Sequence, residues 1–484
     1  MKNHFTRRRF LATAGATAGL SLAGKSLFNV DKLFAQTSVP LVRPNVAGLT
    51  LASGEITSYI NAITAMKALP AANPVSWTYQ AAIHGTLAAP LLAQNTCQHG
   101  TNFFWSWHRM YLYWFERIIR RQSGNTSWAL PFWDWQANPG LPSMFQNPPV
   151  GSPVLNLAGR TASMNNGTGT VSNMTPGVNA ALAQCLYEGV SGADALIQNP
   201  HGSVHVQVGG LMGSITTAAQ DPIFYLHHAN CDRLWDIWLA QGMRCDPVTD
   251  PVWEGQVFTF FDENGVQQNM TSCDVVRAAA QLNYTYQGEP PQVNQFCGVA
   301  PVCCSGTSTV VIDQCIPNPP CLLPPGPGPF YFEFTVTSQL AQQLIAYAEN
   351  SADTLYLVYS GVTAPTQPGV VWDVYVGLPL GGKINPTSPY YVGTYGMYGP
   401  GVADQPPDGN QPASISVPVN AALLKALQAG ELTVPVQFSP HGVVVGGRLT
   451  LPNQASTVSI GQAQLTVQTT VQAEKVVAKA AVGR

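Results

Sequence analysis

The chain has 484 residues, 45% of them hydrophobic, enough to bury a large core and to make more than one domain at about 150 residues each. Only 10% of the residues are charged, and the formal net charge is -3. Such a composition excludes a disordered or fibrous chain, and without a basic stripe to neutralise phosphates it excludes nucleic acid as a partner.

The N-terminus reads Thr6-Arg7-Arg8-Arg9-Phe10-Leu11 and continues into a run of Ala, Gly and Thr. This resembles a twin-arginine export signal over residues 1–35, with cleavage after Ala35 and delivery to the periplasm or beyond. Phe10 to Ala23 is too short and too rich in Gly and Ala to cross a hydrocarbon core of about 30 Å, so no stable membrane insertion is expected. The implied partner is the twin-arginine machinery, which exports proteins already folded, often with a cofactor inserted.

Residues 36–288 alternate apolar helical patterns with Gly/Pro-rich loops, as in MYLYWFERIIRR and DPIFYLHHANCDRLWDIWLAQ, and predict a mainly α-helical domain. Residues 289–329 form a Cys/Pro-rich linker that cannot sustain a helix or a central strand. Five of the ten cysteines lie between Cys297 and Cys321, which in an oxidising compartment predicts disulfide staples; a zinc knot is the alternative, disfavoured by irregular spacing and the lack of histidine. Short alternating runs such as FYFEFTV, TLYLVYS, VVWDVYVGL and LTVPVQF predict a β-sandwich or barrel over residues 330–452. Residues 453–484 are a polar tail, a short helix or disordered.

Seven of the nine histidines fall in the helical region, at 84, 99, 108, 201, 205, 227 and 228. His201 and His205 are spaced i, i+4, which on a helix puts two imidazoles on one face about 5 to 6 Å apart at Cβ, within reach of one ion. His228 supplies a third ligand from the next helix. His84, His99 and His108 make a second set of three. A single histidine here has a structural role as its plainest explanation, but six in this pattern make a dinuclear site. With no carboxylate among them the set suits copper, nickel or zinc rather than the Glu-rich di-iron or di-manganese bundles. A zinc protease of the HExxH type is excluded because Gly202 stands where its glutamate belongs.

The stretches Cys97-Gln98-His99-Gly100 followed by FFWSWHRMYLYWFE, and HGSVH followed by DPIFYLHHANCDRLW, resemble the two metal signatures of the tyrosinase, catechol oxidase and molluscan haemocyanin superfamily, the type 3 copper proteins. The resemblance implies an α+β multidomain protein: a helical catalytic domain with a four-helix-bundle dicopper core, then a C-terminal β-sandwich that shields the site. It implies two copper ions, one on His84, His99 and His108 and one on His201, His205 and His228, with His227 structural. It implies a thioether between Cys97 and His99, against a disulfide as the alternative for Cys97. Phe224 matches the ring that packs over a ligand, and Asn230 and Asp232 match groups that fix ligand orientation. Arg43, Arg233 and Tyr284-Thr285-Tyr286 match elements that close the catalytic domain near Gly288. WDVYVGLPLGGKINPTSPYYVGTYGMYG resembles part of the C-terminal domain of plant polyphenol oxidases, which covers the site and keeps the enzyme latent.

The implied reaction is oxidation of o-diphenols to o-quinones by O2, with monophenol hydroxylation as the further activity. Tyrosinases of this kind carry Asn after the first histidine of the second set, and an upstream Glu, to hold a water that takes the phenol proton. Here Gly202 occupies the first position, and neither Asp194 nor Glu188 clearly fills the second. The balance tilts to diphenol oxidation, and a reversible O2 carrier of the haemocyanin kind is the alternative.

Overall fold

A computed structural model describes residues 39–471, apart from 190, 291–294, 296, 299–304, 315–320, 324–329, 351–352, 406, 408–410, 442, 446–447 and 451–457. The export signal expected over 1–35, and most of the cysteines expected to staple the linker, lie outside the described residues. Among those described, no helix is long and apolar enough to cross a membrane.

Among the helices of the histidine-bearing part, five matter most to the site and its frame: α1 (Gly54–Lys67), α2 (Trp77–His84), α3 (Phe104–Ser123), α4 (Ala193–Val208) and α5 (Ile223–Ala240). Local chemistry sets their ends. Ser76 caps α2 by accepting the Tyr79 amide proton at 3.1 Å. Gly124, with φ of 71°, supplies the left-handed residue that stops α3. Pro222 precedes α5, where its missing N–H costs nothing. The aromatic face of α3 is buried as core, with Trp105, Trp107, Tyr111 and Phe115 inaccessible to solvent; Trp105 stacks on Trp235 of α5 at 5.9 Å.

Chain ends and helices are tied by a buried ionic network. The short strand β1 (Leu41–Arg43) pairs in parallel with β2 (Tyr284–Tyr286), bringing the start of the domain to its finish. Arg43 donates to Glu116 of α3 at 2.8 Å and to Asp232 of α5 at 3.1 Å. Asp232 also pairs with Arg109 of α3 and accepts the hydroxyl protons of Tyr284 and Tyr286, both at 2.6 Å. Arg109 lies 3.9 Å over the Trp235 ring. Two guanidiniums on one carboxylate, with Glu116 and Asp236 beside them, satisfy charges that would be prohibitive alone.

Eight longer strands follow: β3 (Ser305–Gln314), β4 (Phe330–Thr335), β5 (Asp353–Val362), β6 (Val371–Val376), β7 (Tyr391–Gly396), β8 (Ala413–Pro418), β9 (Thr433–His441) and β10 (Gln462–Val471). They make two open antiparallel sheets of four, ordered β7-β6-β9-β4 and β8-β5-β10-β3. The two share one apolar core, in which Tyr359 of β5 meets Phe438 of β9 at 5.4 Å. Two helices accompany them, α6 (Ser338–Glu349) and α7 (Asn420–Gln428).

Two expected boundaries are corrected. β3 lies within the stretch expected to be linker, and β10, inside the expected tail, is a central strand between β5 and β3. In β10 the sequence alternates apolar and polar residues, with Ala463, Leu465 and Val467 buried on one face and Thr466 and Gln468 buried on the other. In β3 the β-branched run TSTVVI sustains a strand that the neighbouring prolines obscure.

Asp232→Asn leaves two buried guanidiniums short of a counter-charge and is expected to destabilise the protein by about 3–5 kcal/mol. Tyr284→Phe, which removes one neutral donor, is expected to cost about 1 kcal/mol; denaturant midpoints compare the two.

Candidate metal centre

α2 ends on His84, α3 carries His108 one turn in, α4 carries His201 and His205, and α5 carries His227 and His228. His99 comes from the loop before α3. All seven are at most 2% exposed, so the four helices and one loop put seven imidazoles into one dry volume. Ligand atoms within 4.8 Å of one another fall into three overlapping groups: His201, His205, His227 and His228; His84, His108 and His228; and His84, Cys97 and His99. His99 and His108 have ring centres 5.2 Å apart. All six histidines expected as ligands are thus brought together, and His227, expected to be structural, is brought with them.

Ring nitrogens are sorted by their partners. His84 Nδ1 lies 3.1 Å from the Ile215 carbonyl oxygen, His108 Nδ1 lies 2.7 Å from that of Phe104, and His205 Nδ1 lies 2.9 Å from that of Met212. A carbonyl only accepts, so each Nδ1 carries the proton and each Nε2 presents a lone pair. Nε2 of His84 and of His108 has no hydrogen-bond partner. Nε2 of His228 lies 3.3 Å from Nε2 of His201 and 3.1 Å from Nε2 of His205.

Burial, with neighbouring imidazoles adding to it, pushes His84, His108, His201, His205 and His228 well below the usual histidine range, and burial pushes His227 to about 3. Neutral imidazole is the form that ligates metal. An all-nitrogen, buried, proton-poor donor set with backbone carbonyls fixing tautomers fits two soft divalent or monovalent ions, copper among them.

The stretch 74–186 and 164–241 matches the common central domain of tyrosinase, and 247–295 matches the polyphenol oxidase middle domain. The chain carries the common central domain of tyrosinase followed by the polyphenol oxidase middle domain. Its cofactors are two copper ions. A tyrosinase of Hahella sp. (strain CCB-MM4) is 34% identical over 281 residues, 47% of this chain and 59% of that protein. The latent chloroplastic polyphenol oxidase of Prunus armeniaca is 29% identical over 293 residues, 52% of this chain and 49% of that protein. The chain therefore spans about half the length of these curated relatives. In fold it is similar to latent aurone synthase, a polyphenol oxidase, at a TM-score of 0.61 and 20% identity, covering 89% of both chains. It is also similar to latent apple tyrosinase, at 0.57 and 20%, covering 89% of this chain and 97% of that one.

Around the histidines, Phe224 packs 4.2 Å from the His228 ring and 4.8 Å from that of His84. Cys97 is buried beside His84 and His99. Asn230 accepts from Arg233 at 3.0 Å, and the Asp232 carboxylate serves the Arg43, Arg109, Tyr284 and Tyr286 network. The rings of His108, His205 and His84 are oriented by the backbone oxygens of Phe104, Met212 and Ile215. Sequence gives no sign of that, because a carbonyl is the same in every residue.

Tyr398 was also missed. From the segment after β7 its ring stacks on His205 at 4.1 Å and meets His201 edge-on at 5.6 Å. Gly202 makes room for it: a Cβ there would come within 3.1 Å of Tyr398 Cβ and 3.3 Å of the Gly396 carbonyl oxygen.

Asp194, upstream of the second set, is wholly buried and accepts the Trp105 amide proton at 2.9 Å, so it serves the start of α3. Burial pushes its carboxyl up to about 8, against that hydrogen bond. With a folded pKa above the unfolded value of about 3.9, its protonated form favours folding at low pH and that contribution is lost as pH rises through about 8. Asp194→Asn is expected to flatten the decline in melting temperature between pH 6 and 9.

Proposed function

We propose that the chain is a copper oxidase that converts o-diphenols to o-quinones with O2. His84, His99 and His108 hold one ion and His201, His205 and His228 the other. The observation that carries this is the convergence of these imidazoles in one buried volume, with Nδ1 of His84, His108 and His205 on backbone carbonyls. When bound, the copper pair supplies electron transfer from two diphenols to one O2, giving water. The chain holds His84, His108 and His205 in one tautomer, excludes water with Trp105, Trp107 and Phe224, and presents Phe224 as a wall for a flat ring.

Diphenol oxidation is favoured over monophenol hydroxylation. Gly202 has no side chain to hold a water, and Asp194 is committed to the start of α3. Glu188 is engaged by Asn102 at 3.3 Å. Neither of these two upstream carboxylates is placed to take a phenol proton.

Tyr398 makes the protein as built a latent one, its ring over His205 where a planar phenol would lie. Reversible O2 binding is the second function consistent with this cover, since it admits a diatomic more readily than a phenol. We further propose a twin-arginine signal over 1–35, helical and sheet regions that act as a four-helix-bundle core and a shielding sandwich, and a thioether between Cys97 and His99. Support for the thioether is the Cys97 sulfur, within 4.8 Å of ring nitrogens of both His84 and His99.

Oxygen uptake by the copper-loaded protein is expected to rise about tenfold with catechol in Tyr398→Ala, a barrier lower by about 1.4 kcal/mol, and to stay low with a monophenol. Equal uptake with both substrates would refute the diphenol assignment, and reversible O2 binding without uptake would favour the carrier. A peptide containing Cys97 and His99 is expected to weigh two hydrogens less than its sequence mass and to resist thiol reductants. Full sequence mass would remove the thioether.

A further inference from the structure

We propose that Gln367 and Gln405, from the sheet-bearing region, are positioning residues for the metal centre. They act through one loop, 209–216, that fixes an imidazole in each set of three. The proposal rests on the ligand assignment above.

The loop joins α4 to the short helix that starts at Ile215. Its Met212 carbonyl holds Nδ1 of His205, and its Ile215 carbonyl holds Nδ1 of His84. Only Gly213 and Ser214 therefore separate the two residues whose oxygens set the tautomers of ligands on different helices and in different sets.

The far side of the loop is gripped by the sheet-bearing region. Ile215 donates its amide proton to Oε1 of Gln405 at 3.1 Å, and Gln405 is 1% exposed. Gln367 Nε2 donates to the Gly213 carbonyl at 3.1 Å and to that of Met397 at 2.9 Å, joining the loop to the segment that carries Tyr398. Ile215 thus has its N–H on a glutamine and its C=O on a histidine. Neighbours leave it no slack: a Cβ on Gly85, next to His84, would come within 2.5 Å of the Ile215 oxygen, and one on Gly399 within 2.6 Å of Ile215 Cδ1. A buried N–H deprived of Gln405 must find another acceptor, and any shift of Ile215 that finds one moves the carbonyl on His84.

The sheet-bearing region then does two separable things. Tyr398 controls access, whereas Gln367 and Gln405 control ligand orientation. Trimming the region away relieves the first and also loosens the second, so a trimmed protein should release copper faster than full-length Tyr398→Ala does.

The test uses the full-length chain with nitrogen-15 in its histidine rings, observed by NMR without metal and then titrated with copper(II). In Gln405→Met the His84 ring is expected to pass from the Nδ1–H form to a mixture of tautomers, and copper affinity to fall about 10- to 100-fold, the range for lost orienting partners. Gln367→Met is expected to do the same to His205, and because it alters a partly exposed side chain it carries the test if Gln405→Met does not fold. Tyr356→Phe removes a bond to Gln184 elsewhere between the same regions and should change neither ring. Unaltered tautomers and affinity in both glutamine variants, or equal changes in Tyr356→Phe, would overturn the proposal. If the unmutated protein took up no copper while its tautomers still responded to Gln405→Met, the ligand assignment would fail and the clasp would stand.

Discussion

Seven imidazoles share one dry volume, and that crowding governs the molecule. A protonated histidine there would face low dielectric and several like neighbours, so the rings stay neutral while packed against one another. Such a cluster does not hold itself together. The scaffold must impose it, and a cation must relieve it.

The scaffold does so by burying charge at a distance from the site. Arg43 and Arg109 meet on Asp232, which lies four residues beyond His228 on α5, while Arg109 follows His108 directly on α3. The helices that carry His108 and His228 are thus cross-linked next to their ligands, and those rings stack 4.3 Å apart. Pairing of β1 with β2 brings Arg43, Tyr284 and Tyr286 to the same carboxylate, so the two ends of the helical region close where its rigidity is needed. Buried ionic groups in such a network stabilise little on balance, but removing one member is expensive, which suits a device whose purpose is fixed geometry.

Much of the site was legible in sequence because its ligands are side chains in long, patterned helices. The i, i+4 pair His201 and His205, the aromatic run through α3 and the Asp-Pro start of α5 all speak locally. His227 was harder, since adjacent histidines on one helix point about 100° apart, yet His227 still stacks on His201 at 5.2 Å. The groups that orient the rings were not legible, being backbone oxygens of Phe104, Met212 and Ile215. Nor was the cover: Tyr398 meets His205 only through the meeting of distant segments, and its signal is the pair of small residues Gly202 and Gly396 that admit it. Among the strands, β10 carried its alternation openly, but the prolines and polar tail around β3 and β10 hid that they pair with each other.

The central claim is that the histidines bind a coupled pair of copper ions. It is tested most directly by copper analysis combined with electron paramagnetic resonance of the copper(II)-loaded protein. Two ions held by facing sets of three imidazoles predict two copper per chain with little or no resonance signal, because the unpaired electrons of neighbouring ions cancel. One copper per chain, or two with the full signal of isolated ions, would contradict it.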